Sequence, residues 1–166
     1  VLEEPTWPWK YTVEVNNRAQ DADGNNYGGT INAAQTDPEK EPGKLEVAPG
    51  FLPRFFAGPY WVLAYEEGED EDSNENSNSS SNSSGNNSGG YALIIGGQPN
   101  VRTEAGCKTR GGRIYSSSGG LWIFTRKSER DTDLVNRVRK IAANDFGLDV
   151  TVLNTVVQGE SCDYSE

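Results

Sequence analysis

Carboxylates are the most plentiful reactive side chains in this 166-residue chain, with 25 Asp and Glu against 15 Lys and Arg. A pair of carboxylates held in register is a common general acid–base device. Here they concentrate in turns and in the run Glu66-Glu67-Gly68-Glu69-Asp70-Glu71-Asp72, where no neighbour would raise a pKa or fix two groups at a working distance. Histidine is absent, which removes the side chain most used as a base near neutral pH and the commonest zinc ligand. Asp21-Ala22-Asp23-Gly24-Asn25 has the beginning of a calcium-loop spacing, but the remaining oxygen ligands are missing and an Asp-Gly turn accounts for it. Cys107 and Cys162 lie in no metal-ligand spacing. They form either a single disulfide, as an oxidising compartment would favour, or two unpaired thiols. Arg102, Lys108, Arg110 and Arg113 make a small basic cluster that either meets the acidic run, binds an anionic partner, or is a solvated loop, the last being the plainer reading because exposed charge pairs contribute little. The expectation is a protein that is not an enzyme, with no catalytic residues and no metal.

Net charge points the same way. At −10, the long-range field repels phosphate, so neither nucleic acid nor an anionic lipid surface is an expected partner through bulk electrostatics. No apolar stretch approaches the roughly 20 residues of a transmembrane helix. The chain has no initiator methionine and no signal-peptide pattern, so it reads as processed or trimmed at its amino terminus.

The elements that would position any site are short. Apolar-alternating runs separated by Gly, Pro, Asn and Asp clusters predict an antiparallel all-β domain. Tyr11 to Val15, Tyr27 to Thr36 and Lys44 to Val47 read as meander strands, ended by Asp37-Pro38, Glu41-Pro42-Gly43 and Pro49-Gly50. Tyr60 to Tyr65, Tyr91 to Ile95 and Leu121 to Thr125 are denser apolar runs, as expected of strands covered on both faces. Residues 66–90, acidic and then almost pure Ser, Asn and Gly, cannot offset their chain entropy and read as a disordered insert. Its sequons at Asn78, Asn82 and Asn86 arise readily by chance in such a tract. Residues 96–120 read as a polar loop. Asp131 to Asp133 and Gly147 bracket a helix over about 131–146. Its apolar stripe contains Leu134, Val138, Ile141 and Ala142, and extends to Asp145-Phe146 if the stripe is continued. Asp149 to Val157 alternates as a last strand. One domain follows, 10–162, with an extension at 1–9 and a tail at 163–166.

Gly58-Pro59-Tyr60-Trp61-Val62-Leu63-Ala64-Tyr65, Tyr91-Ala92-Leu93-Ile94 and Leu121-Trp122-Ile123-Phe124-Thr125-Arg126, followed by the helix, Gly147-Leu148-Asp149 and Leu153 to Gln158, resemble in order and character the central and terminal strands of the lipocalin family. The likeness is to bacterial, plant, algal and apolipoprotein-D-like members and covers residues 10 to 162. It implies an up-and-down antiparallel barrel with one carboxy-terminal helix and a short final strand. The sequence lacks the family's Gly-x-Trp and leaves no residues for the first two strands, so the barrel is expected to be incomplete. By resemblance, Arg126 is the arginine that covers a tryptophan at the barrel's end, and Trp7 or Trp9 would replace the missing one or simply cover an exposed sheet face.

The family's inward phase places Tyr60, Val62, Ala64, Ala92, Ile94, Trp122 and Phe124 inside. An apolar and aromatic set of this kind suits a lipid, carotenoid, bilin or other pigment bound by burial of surface, or else packs on itself as core. The resemblance thus implies a non-enzymatic carrier of a small hydrophobic ligand. The alternative is an accessory subunit that docks on a larger protein or membrane-protein complex through its open edge. The expected setting is extracytoplasmic or plastid, with the thylakoid lumen as one location.

Overall fold

A computed structural model describes residues 10–20, 25–68, 89–110 and 119–157. Eight strands, one α-helix and two single turns of 3₁₀ helix make up its elements. The strands are β1 (Val13–Gln20), β2 (Asn26–Gln35), β3 (Lys44–Pro49), β4 (Gly58–Glu66), β5 (Tyr91–Ile95), β6 (Val101–Thr103), β7 (Gly106–Lys108) and β8 (Leu121–Thr125). Six of them form one antiparallel sheet in the order β1-β2-β3-β4-β5-β8, curled into a half-barrel, while β6 and β7 form a separate two-stranded hairpin. The six strands predicted before the helix are found, the first displaced to Val13–Gln20 from the expected Tyr11 to Val15, and the 96–120 segment, read as a loop, contains this hairpin.

Side chains alternate across the sheet, so its register divides the strands into two faces. Tyr91, Leu93 and Ile95 of β5 point to one face, where they pack with Leu134, Val138, Ala142 and Leu148 into the main core. The helix α1 (Thr132–Asn144) lies over this face and buries Leu134, Val138 and Ala142, spaced four residues apart. A second cluster, on Tyr11, Ala34 and Ala48, is covered by Leu52 and Ala57. Burying a Leu or Val side chain fully contributes about 1.5–3 kcal/mol, and Leu93 and Val138 have no solvent exposure.

Local chemistry sets the helix ends. The Asp131 carboxylate accepts the Leu134 N–H at 2.9 Å, a cap of the kind that contributes about 1 kcal/mol. At the other end Gly147 takes φ +63°, and the N–H groups of Gly147 and Leu148 return to Ala143 and Ala142. The apolar stripe stops at Ala142: Asp145 is the C-cap and Phe146 is exposed, so the extension of the stripe to these two residues is not realised.

No final strand forms either. Val150–Val152 is a 3₁₀ turn, and the Asp149 side chain accepts the Thr151 N–H. A carboxylate that caps its own following backbone offers the chain a turn in competition with a sheet ladder. Only Leu148 makes a strand-like contact, an isolated parallel bridge to Cys107. Trp7, Trp9, most of the 66–90 insert and its three sequons, Arg113, the Asp21 to Gly24 part of the turn after β1, Cys162 and the 163–166 tail lie outside the described residues.

Candidate functional site: the sheet face opposite the helix

The register brings most of the predicted inward set onto one surface. Val62 pairs with Ile94 and Ile94 with Trp122, while Ala92 pairs with Phe124. Tyr60 pairs with Leu45, Val47 with Ala33, and Ile31 with Val15. Directly paired residues share a face, so an apolar strip runs from β1 to β8 on the side away from the helix. Ile94 is buried within it, whereas Phe124 is 48% exposed. Burial pushes the Tyr60 phenol above its ordinary range.

One predicted member is on the wrong side. A bulge shifts the β4–β5 register between Val62 and Ala64, and Ala64 packs with Leu63 against the helix-side core. An extra residue in a strand reverses the alternation beyond it. Tyr65, opposite Ala92, takes the place that Ala64 was expected to fill.

Arg126 sits at the end of this strip. Its Nη2 donates to the Tyr65 hydroxyl at 3.3 Å and to Glu67 Oε1 at 3.4 Å, and its backbone N–H to the Gly90 carbonyl at 3.1 Å. It thus ties β8 to both ends of the 66–90 connection. A neighbouring arginine, Arg137, reaches from the helix to Glu66 through two hydrogen bonds of 2.9 and 3.0 Å and lies 5.3 Å from the Tyr91 ring centroid.

A cavity in the described region lies elsewhere. Its volume is about 130 Å³, and Ile95, Leu121, Leu148 and Val152 line it together with Cys107 and Thr109. Ligand pockets run to about 300–1,000 Å³, so this space does not take a carotenoid or a sterol. Cys107 is half-buried with a free thiol among the described residues, and Cys162, its expected partner in a bridge, lies outside them. Cys107 joins the β6–β7 hairpin to the helix exit by backbone hydrogen bonds: its N–H donates to Gly147, and its carbonyl accepts from Asp149.

Asp149 completes that junction and escaped the sequence reading. It is buried, and its Oδ2 accepts the Thr103 hydroxyl at 2.7 Å, while Oδ1 accepts the Thr151 N–H at 3.0 Å and the Thr151 hydroxyl. The Thr151 and Thr103 hydroxyls, against the opposing effect of burial, hold its carboxyl below the usual carboxylate range, with help from the Thr151 N–H and Lys108. The available signal was Asp149-x-Thr151 two residues after Gly147, a side-chain turn at a helix exit. A depressed folded-state value means that Asp149 stabilises the fold fully above its unfolded value of about 3.9, and that this contribution is lost as pH falls through the folded value. Urea midpoints between pH 5 and pH 2 should therefore fall more steeply for the native chain than for Asp149→Asn; parallel curves would show that the carboxylate carries no such linkage.

Among the described residues no group of three or more Cys, Asp and Glu side chains is placed to hold a metal ion, and no helix is long and apolar enough to cross a membrane. No protein-family model matches the chain, and comparison with curated proteins finds no relative.

Proposed function

We propose that this chain is a lipocalin-like, non-enzymatic binding protein that takes a small hydrophobic molecule, a lipid, carotenoid, bilin or similar pigment, against the apolar face of its half-barrel. The observation that carries the reading is the strip just described: Tyr60, Val62, Ala92, Ile94, Trp122 and Phe124 share the face away from the helix. A curled apolar sheet binds such molecules by removing surface from water, at about 25 cal/mol per Å². The extracytoplasmic or plastid setting rests on the family resemblance.

A fluorescent polyene fatty acid, cis-parinaric acid, tests the site. Phe124 is partly exposed, so Phe124→Asp leaves the fold intact and places a charge in the ligand's path. The affinity should drop about tenfold or more, equivalent to about 1.4 kcal/mol, with an unchanged thermal midpoint. Equal affinity in the two proteins would remove the ligand from this face.

One observation favours a second reading. Among the described residues β1 and β8 are each hydrogen-bonded to a strand on one side only, and a free edge can accept another chain. In that reading the half-barrel is an accessory subunit of a larger, photosynthetic-membrane or other protein complex. Native mass spectrometry of the protein from its source separates the two: a lone chain with an apolar adduct supports the carrier, and an empty chain found only in a larger assembly supports the subunit.

A further inference from the structure

Arg126 stands where the apolar strip ends, and on the same face. Its N–H donates to the Gly90 carbonyl, which continues the ladder in which Phe124 pairs with Ala92 and Trp122 with Ile94, so the three β8 side chains at 122, 124 and 126 are in phase. The arginine side chain then lies across β5. A β-carbon at Gly90 would stand 3.0 Å from Arg126 Cδ, so the glycine leaves the room that the side chain uses. It thereby reaches β4, where Nη2 donates to the Tyr65 hydroxyl and to Glu67 Oε1. Half of the arginine side chain is exposed, and so is more than half of Tyr65, whereas Ile94, two residues along β5 from Ala92, is buried. The face therefore has a wet, cationic rim and a dry middle.

We infer that the molecule held on the ligand face, a reading on which this one rests, is a long-chain fatty acid, whose carboxylate meets Arg126 and Tyr65 at the rim while its acyl chain lies along the apolar strip. Charge complementarity argues for the head group. A planar guanidinium matches the two oxygens of a carboxylate, and the Tyr65 hydroxyl, which accepts from Arg126, keeps its own proton to donate to an incoming oxygen. The chain itself supplies the stand-in: the group that Arg126 meets from the start of the insert is a carboxylate, that of Glu67. Glu67 is 73% exposed and the pair is 3.4 Å long, so exchanging it for the carboxylate of a ligand costs little.

The charge of the whole chain sharpens the choice. At −10 the protein as a body repels an anion, so a carboxylate is accepted here through its local partner, and a neutral carotenoid or sterol gains nothing from that partner. Shape argues for the tail. Six strands set side by side at about 4.8 Å make a strip roughly 24 Å long from β1 to β8, which suits an extended acyl chain whose burial drives binding while the head stays in water.

cis-Parinaric acid and its methyl ester share one chain and differ by one charge, so their affinities for the whole protein near neutral pH test the assignment. The native chain should bind the acid about tenfold tighter than the ester. In Arg126→Met the two ligands should bind alike, and in Arg126→Lys, which keeps the charge without the planar fork, part of the preference should return. Glu67→Gln removes the competing carboxylate from an exposed position and should bind the acid about two- to fivefold tighter, with the thermal midpoint of the native chain. Equal affinities of acid and ester for the native chain, or equal weakening of both by Arg126→Met, would overturn the fatty-acid assignment and leave the apolar face as the ligand site. Absence of binding by either ligand would overturn the assignment and the ligand face together.

Discussion

Leu93→Ala should lower the unfolding free energy by about 2–5 kcal/mol, the range for deleting a buried leucine side chain down to its β-carbon. Leu93 is the central residue of β5, is wholly buried, and belongs to the cluster that also contains Leu134, Val138 and Ala142 from the helix. Removing it costs both its transfer energy and the cavity left between two elements that cannot both move inward. A urea titration should show a lower midpoint with an unchanged slope. A loss below about 1 kcal/mol would mean that helix and sheet are not packed at this position.

The second large effect is expected at Gly106. Its φ is +141°, a conformation that L residues rarely adopt, and a β-carbon there would stand 2.8 Å from Asp149 N, Gly147 O and Leu148 C. All three are backbone atoms, so no side chain can swing aside. Gly106→Ala should therefore destabilise by about 2 kcal/mol or more, combining backbone strain with displacement of the hairpin from the helix exit. Hydrogen exchange should show faster exchange at the Cys107 and Asp149 amides, which donate across this junction. Gly147→Ala makes a useful contrast. Its φ is +63° but nothing lies within 4 Å of the added carbon, so only the strain applies. Equal losses at the two positions would show that the crowded contact adds nothing.

The strands of the main sheet were legible because each is an alternating or dense apolar run stopped by Pro, Gly or Asp. Tyr91 to Ile95 and Leu121 to Thr125 were read with the bounds they have. The helix was legible through Asp131, the four-residue spacing of Leu134, Val138 and Ala142, and Gly147. Three features were not. The bulge in β4 leaves no mark in Tyr60 to Tyr65, since Leu63 and Ala64 are both apolar and either could face the core, so Ala64 was assigned to the wrong face and Tyr65 overlooked. The β6–β7 hairpin is too short and too polar, at three residues a strand, to show alternation. The last segment alternates at Val150 and Val152, but the Asp149 cap overrides the pattern. As for the site, six of the seven predicted side chains share a face, because strand periodicity is robust up to the first bulge.

The order of the sheet also bears on how the chain is assembled. Along β1 to β5 each strand lies beside the one made just before it, so successive hairpins can close as the polypeptide emerges, with little loop to order at each step. The main core, however, draws on Leu134, Val138, Ala142 and Leu148, which are synthesised after every strand of the sheet. Until they arrive, Tyr91, Leu93 and Ile95 lack their cover. A chain truncated near residue 130 would hold every strand of the sheet with one sticky side, the form most in need of a chaperone, and only the helix covers it.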